Sequence, residues 1–173
     1  MLFRSIRRVL PSTLEIIVRE RTPMGIGRLG TALYVVDPHG VIVDEYGPNY
    51  ADLDLPIIDG LSAPGSKATG PIDATRSEFA ARTLSALATK PELAKRISQL
   101  DVSDPHNAVV ILDGDTALLR LGESDFVERL QQYIDLAPAL REKVATIDYV
   151  DLRFDERLYV RPAGRPSGAQ ARK

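Results

Sequence analysis

Cysteine and tryptophan are absent from this 173-residue chain, histidine occurs twice, and the aromatic complement is four phenylalanines and six tyrosines. Without cysteine there is no thiol nucleophile, no disulfide and no cysteine-ligated zinc site. That absence does not fix the compartment. No run of about 18 apolar residues occurs, so no segment reads as a membrane-spanning helix. Residues 1–10 hold Arg4, Arg7 and Arg8 but no apolar h-region, so they do not read as a signal peptide. Basic excess is also missing: 22 Lys and Arg stand against 24 Asp and Glu, which gives nucleic-acid binding no electrostatic support.

What is present suits a soluble core. Hydrophobic residues make up 44% and charged residues 27%, enough for one ordinary domain or two small ones. Phe3, Ile6, Val9 and Leu10 mark a first extended segment, and residues 13–20 alternate as a second, with Pro11-Ser12 as a tight turn between them. Residues 25–30 read as a glycine-rich link, and the domain boundary is expected within residues 23–30. The strongest hairpin signal pairs residues 32–37 with residues 41–45 across Pro38-His39-Gly40. A short strand is expected around Leu55-Pro56-Ile57-Ile58-Asp59-Gly60.

Residues 73–89 carry Phe79, Ala80, Thr83, Leu84 and Leu87 on one helical stripe, with Asp73 or Thr75 as cap. Pro91 suits the first turn of a second helix over residues 91–100. Residues 107–112 and 117–121 read as strands around Asp113-Gly114-Asp115. Ser124 is expected to cap a helix over residues 125–144, with Phe126, Leu130, Tyr133, Ile134 and Leu140 inward and a bend or break at Pro138. The pattern predicts an α+β fold, a largely antiparallel sheet with helices packed on it.

Residues 147–162 alternate with a period of two. Val150, Leu152, Phe154, Leu158 and Val160 fall on one face, interrupted by Glu156. Asp151, Arg153, Asp155, Arg157 and Arg161 fall on the other, with Tyr149 and Tyr159. That describes a half-buried strand, or two short ones around Asp155-Glu156. A closing strand with charges outward is often a sheet edge, either blunted against pairing or used for it. Residues 163–173 (Gly, Pro, Ser, Ala, Gln, Arg and Lys) cannot build a core and are expected to be disordered.

Other motifs carry little chemistry. Gly25-Ile26-Gly27-Arg28-Leu29-Gly30 spells G-x-G-x-x-G, but a dinucleotide site needs a helix to open there, and a β-branched run follows instead. His39 and His106 sit beside prolines in turns, without a metal partner at the usual spacing. Asp113 and Asp115 flank a glycine without the glutamate of a calcium loop. No catalytic constellation, metal site or cofactor site is expected.

Residues Arg8-Val9-Leu10-Pro11-Ser12-Thr13-Leu14-Glu15-Ile16-Ile17-Val18-Arg19-Glu20-Arg21-Thr22-Pro23 resemble the end of the POTRA module in the FtsQ/DivIB family of bacterial cell-division proteins. Similar motifs follow in order. They are Leu33-Tyr34-Val35-Val36-Asp37 with Gly40-Val41, Leu55 to Leu61, Leu112-Asp113-Gly114 with Leu119-Arg120-Leu121-Gly122, and Val150 to Asp155 with Val160-Arg161-Pro162. The resemblance implies a remnant POTRA hairpin over residues 1–23, an FtsQ-type β-domain over residues 24–162 and a tail over residues 163–173. The family's cytoplasmic tail, membrane helix and first part of POTRA find no match in the chain.

The function implied is that of a non-enzymatic divisome scaffold in septum formation, on the periplasmic side of the inner membrane. Partner subunits of the FtsB (DivIC) and FtsL type would add a strand to its last sheet edge. The partner-binding residues expected are Val150, Leu152, Arg153, Phe154, Arg157 and Tyr159. Phe154 stands where the family usually has tyrosine, which keeps the packing and removes a hydrogen bond. The alternatives are a small nucleotide-binding enzyme built on residues 25–30 or an unrelated α+β interaction domain.

Overall fold

A computed structural model describes residues 2–9, 13–63, 65, 70–144, 146–154 and 157–163. The chain begins with an antiparallel pair, β1 (Leu2–Val9) and β2 (Thr13–Arg19), which forms a two-stranded sheet of its own. The turn expected at Pro11-Ser12 lies outside the described residues, as does the tail from residue 164 onward.

The remaining strands are β3 (Gly25–Leu29), β4 (Ala32–Val36), β5 (Ile42–Glu45), β6 (Ile57–Asp59), β7 (Ile97–Asp104), β8 (Asn107–Leu112), β9 (Leu118–Gly122), β10 (Ile147–Asp151) and β11 (Tyr159–Pro162). They form one nine-stranded sheet in the order β11-β10-β9-β8-β7-β6-β3-β4-β5. Five neighbour pairs are antiparallel and three, β3–β6, β6–β7 and β9–β10, are parallel. Parallel neighbours cannot be joined by a tight turn and need a crossover. Helices α1 (Ala74–Leu87) and α2 (Pro91–Ala94) make the crossover from β6 to β7, and α3 (Phe126–Lys143) makes it from β9 to β10. Helices α1 and α3 meet through Phe79 and Phe126, whose ring centroids lie 6.3 Å apart. Beneath them, Leu100, Val110, Leu119 and Val150 are fully buried, one from each of the strands β7 to β10. Alternating burial along these strands and a stripe along each helix give a mixed α+β fold with a mostly antiparallel sheet.

Several local expectations change. Residues 25–29 are a strand hydrogen-bonded to β4 and β6, not a flexible link. A Cβ on Gly25 would stand 2.5 Å from Ile58 Cδ1, and one on Gly27 would stand 2.9 Å from Leu61 Cδ1. The glycines therefore serve close packing, and no helix opens after them to receive a pyrophosphate. Residues 97–100 belong to β7, since α2 stops at Ala94. Ile97 and Leu100 both face the core because a register shift falls between Ile97 and Gln99, which imitates helical spacing. Asp73 caps α1 by accepting the Arg76 N–H at 3.1 Å. Helix α3 is preceded by Asp125 in the left-handed region (φ 54°), without a side-chain cap from Ser124, and continues through the exposed Pro138.

Two polar anchors hold the helices against the strands. Arg76 of α1, buried, donates to Gly60 O and Val102 O, each at 3.0 Å. Asp115, in the β8–β9 turn, accepts the Tyr133 hydroxyl at 2.6 Å and Arg141 Nη2 at 3.0 Å, which fastens α3. Burial and the Asp115 carboxylate push the Tyr133 hydroxyl up to about 12. Helix α3 in turn delivers the chain to β10.

Candidate partner-binding edge

The closing segment is two strands, and only the second ends the sheet. Strand β10 is parallel to β9 on one side (Val150 opposite Leu119) and antiparallel to β11 on the other (Val150 opposite Val160). Leu152 N extends the β9 side by donating to Arg120 O at 3.0 Å. A strand bonded on both flanks has no backbone to offer. The expectation of an open edge running through Val150 is thereby corrected: Val150 (0% exposed) and Leu152 (1%) face the core and support the strand that does lie at the edge. That strand is β11.

The segment that leaves β10 is braced by an ion pair. Arg153 Nε donates to Asp151 Oδ1 at 2.9 Å and its Nη2 donates to Asp151 Oδ2 at 2.6 Å, the two-pronged geometry that makes guanidinium–carboxylate pairs directional. The Arg153 guanidinium holds the Asp151 carboxyl below the usual carboxylate range despite its burial. The stem of Arg153 runs over Gly122, where a Cβ would stand 3.2 Å from its Cγ. Gly122 also has positive φ (75°), so a side chain there would be strained and would displace the arginine.

Beyond this brace, Phe154 and Tyr159 stand out from the surface at 49% and 50% exposure. Their rings meet edge to face, with centroids 5.1 Å apart. Arg157 is exposed between them in sequence. On the adjoining sheet surface Tyr149 carries Arg120 over its ring at 4.2 Å and Arg161 at 5.8 Å, and Arg161 also pairs with Asp148 at 3.5 Å.

The structure therefore gathers Arg153, Phe154, Arg157 and Tyr159 at the end of the sheet and sets Val150 and Leu152 behind them. The alternation of residues 147–162 places Tyr149 and Arg161 on one face, but nothing local in the sequence brings in Arg120, which reaches the group only through parallel pairing. His39 is an exposed turn residue, and His106 pairs with Glu123 at 2.9 Å, which raises its pKa. Among the described residues, no group of three or more His, Asp or Glu could hold a metal ion, and no helix is long and apolar enough to cross a membrane.

A family model described as "Cell division protein FtsQ/DivIB, C-terminal" matches residues 27–153. Among individual proteins, the chain is similar to proteins named "Cell division protein FtsQ". That of Koribacter versatilis (strain Ellin345) is 28% identical, over 96% of the chain and 48% of the relative. Those of Anaeromyxobacter sp. (strain K) and Syntrophotalea carbinolica are 30% and 26% identical, over 92% and 90% of the chain and 55% of each relative. The chain thus spans about half the length of these relatives. With the family match running from β3 to the Asp151–Arg153 brace beneath the edge, the chain belongs to the FtsQ/DivIB family of cell-division proteins.

Proposed function

We propose that the chain is a non-enzymatic divisome scaffold that takes a partner subunit of the FtsB or FtsL type by strand addition on β11. The observation that carries this is the position of β11, last in the sheet, with β10 on one side and, among the described residues, no strand on the other. An added strand would gain main-chain hydrogen bonds along its length, while side chains at alternate positions set register and partner choice. Phe154 and Tyr159 provide rigid exposed aromatic surface of the kind that anchors interfaces. Arg157 and Arg161 favour an acidic segment and would speed its approach. The two-stranded sheet of β1 and β2 is read as a POTRA remnant, contributing to recruitment in a full-length relative on the outer side of the inner membrane.

The test separates backbone from side-chain recognition. An acidic peptide of the FtsB type is titrated against the chain, then compared with two versions N-methylated on alternate residues. Strand addition predicts that one alternation abolishes binding and the other leaves it nearly intact. Equal binding by both would remove the proposal. Phe154→Ala combined with Arg157→Glu is expected to weaken the parent peptide at least tenfold, equivalent to about 1.4 kcal/mol.

A further inference from the structure

Asp37 performs two tasks with two different oxygens. Its Oδ1 accepts the backbone N–H of His39 at 2.9 Å and of Val41 at 2.8 Å, which closes the turn between β4 and β5. Its Oδ2 accepts Nη1 of Arg21, from the segment that joins β2 to β3. The carboxylate side chain is 3% exposed and the arginine 21%. The turn itself is pinned to α1. Gly40, at φ 74°, lies so close that a Cβ there would stand 2.8 Å from Ser77 Oγ and 2.9 Å from Ile72 Cγ2. Asp37 is therefore a fixed post.

Arg21 is the less buried partner of the pair and belongs to the connecting segment. From Met24 onward the connecting segment is already bound to the sheet, since Met24 N donates to Val36 O at 2.7 Å. Between that hydrogen bond and the ion pair lie only Thr22 and Pro23. Proline fixes its own φ and restricts the residue before it. With Arg21 closed on Asp37, the connection is held at both ends of a stiff dipeptide, and the path leaving β2 has little freedom to swing.

We propose that the Arg21–Asp37 pair is a releasable latch: closed, it fixes the direction in which the two-stranded sheet leaves the nine-stranded one, and open, it lets the two reorient while each stays folded. The division of labour within Asp37 makes release possible. Losing Arg21 vacates Oδ2 and leaves both turn hydrogen bonds on Oδ1. The latch also sits at the β4–β5 end of the sheet, remote from β11, so it sets how an N-terminal unit is presented relative to the far edge.

The absence of native cysteine makes the test clean. Spin labels are placed through Glu15→Cys and Asp113→Cys, both exposed positions, and the inter-label distance distribution is recorded for the whole chain. A single narrow distribution is expected for the parent and for Arg21→Lys. Arg21→Gln and Asp37→Asn should lose the narrow peak, while hydrogen exchange at the His39 and Val41 amides stays slow. A parent distribution that is already broad, or an Arg21→Gln distribution as narrow as the parent's, would overturn the latch. Fast exchange at those amides in Arg21→Gln would overturn it too, because latch and turn would then be one unit.

Discussion

The two ends of the nine-stranded sheet are strands of equal length, β5 and β11, four residues each, and they are finished differently. At β5 the edge is capped from within. Asp44 Oδ1 accepts the N–H of its neighbour Glu45 at 2.9 Å and Oδ2 accepts the Tyr50 hydroxyl at 2.7 Å, so a side chain occupies a backbone donor that a visiting strand would need. A register shift between Val35 and Val36 distorts the β4–β5 ladder, as one between Ile147 and Tyr149 distorts the β10–β11 ladder. The surrounding sequence is acidic, with no Lys or Arg from Leu29 to Ser66. At β11, among the described residues, no side chain hydrogen-bonds to the strand's backbone, and the strand carries Arg161, with Arg157 two residues before the strand and the acidic Asp155 and Glu156 before that. Natural sheets protect edges with charges, bulges and local caps. The side-chain cap on the β5 backbone, which has no counterpart at β11 among the described residues, is the difference that supports the proposal of β11 as the partner's edge.

The sharpest way to test this contrast is to separate residues that build the β11 end from residues that face outward from it. Leu152 is 1% exposed and Phe154, two positions on, is 49% exposed. Leu152→Ala should cost about 2–5 kcal/mol of stability through lost burial and the cavity left behind. Phe154→Ala should fall within about 0.5 kcal/mol of the parent, as exposed substitutions do. Urea denaturation with an unchanged m-value distinguishes the two. A large loss from Phe154→Ala would mean that its ring is structural, and the edge would lose its aromatic anchor.

How far the sequence reveals this arrangement depends on how local each signal is. The β4–β5 hairpin is legible because Pro38-His39-Gly40 separates two β-rich runs, and α1 is legible from its stripe and from Asp73. The family could be read from short motifs in order. Strand β3 was hidden because its glycines look flexible when in fact Ile58 and Leu61 fill the space a side chain would need. Strand β7 was hidden by a register shift that gives Ile97 and Leu100 helical spacing. The location of the edge was only half legible. Alternation over residues 147–162 predicts a half-buried strand or two short ones, but whether a strand is interior depends on a neighbour brought alongside by an 18-residue helix, and no local pattern encodes that pairing.

A smaller effect probes the brace beneath the open end. Asp151 has its folded pKa depressed, chiefly by Arg153, so its contribution to stability is complete above the unfolded value of 3.8 and is lost as pH falls through the folded value. Asp151→Asn should therefore cost a constant amount at neutral pH, and the gap to the parent should close below pH 3.8. Because Arg153 is 39% exposed and screened, the cost should be about 1 kcal/mol, below the usual range for charged hydrogen bonds. The readout is the difference in chemical-denaturation midpoint between parent and variant as a function of pH. A gap that stays constant on acidification would show that the carboxylate contributes shape and not charge, and the positioning of Phe154 would need another source.

The smallest expected effect is on the protected end, and it bears most directly on whether that protection is a designed feature. Asp44→Ala removes the acceptor that covers the Glu45 N–H and releases the Tyr50 hydroxyl, while leaving Val41 and Ile42, already 38% and 44% exposed, in place. Folding stability should hardly move. The edge, however, gains a free donor beside apolar surface and loses a repelling charge, which is how edge strands begin to pair with one another. Sedimentation velocity at rising concentration should show weak self-association in Asp44→Ala that is absent from the parent, and Tyr50→Phe should leave the parent behaviour intact because the cap on Glu45 remains. Were Asp44→Ala as monodisperse as the parent, the cap would not be what guards β5. The asymmetry between the two ends would then rest on charge alone.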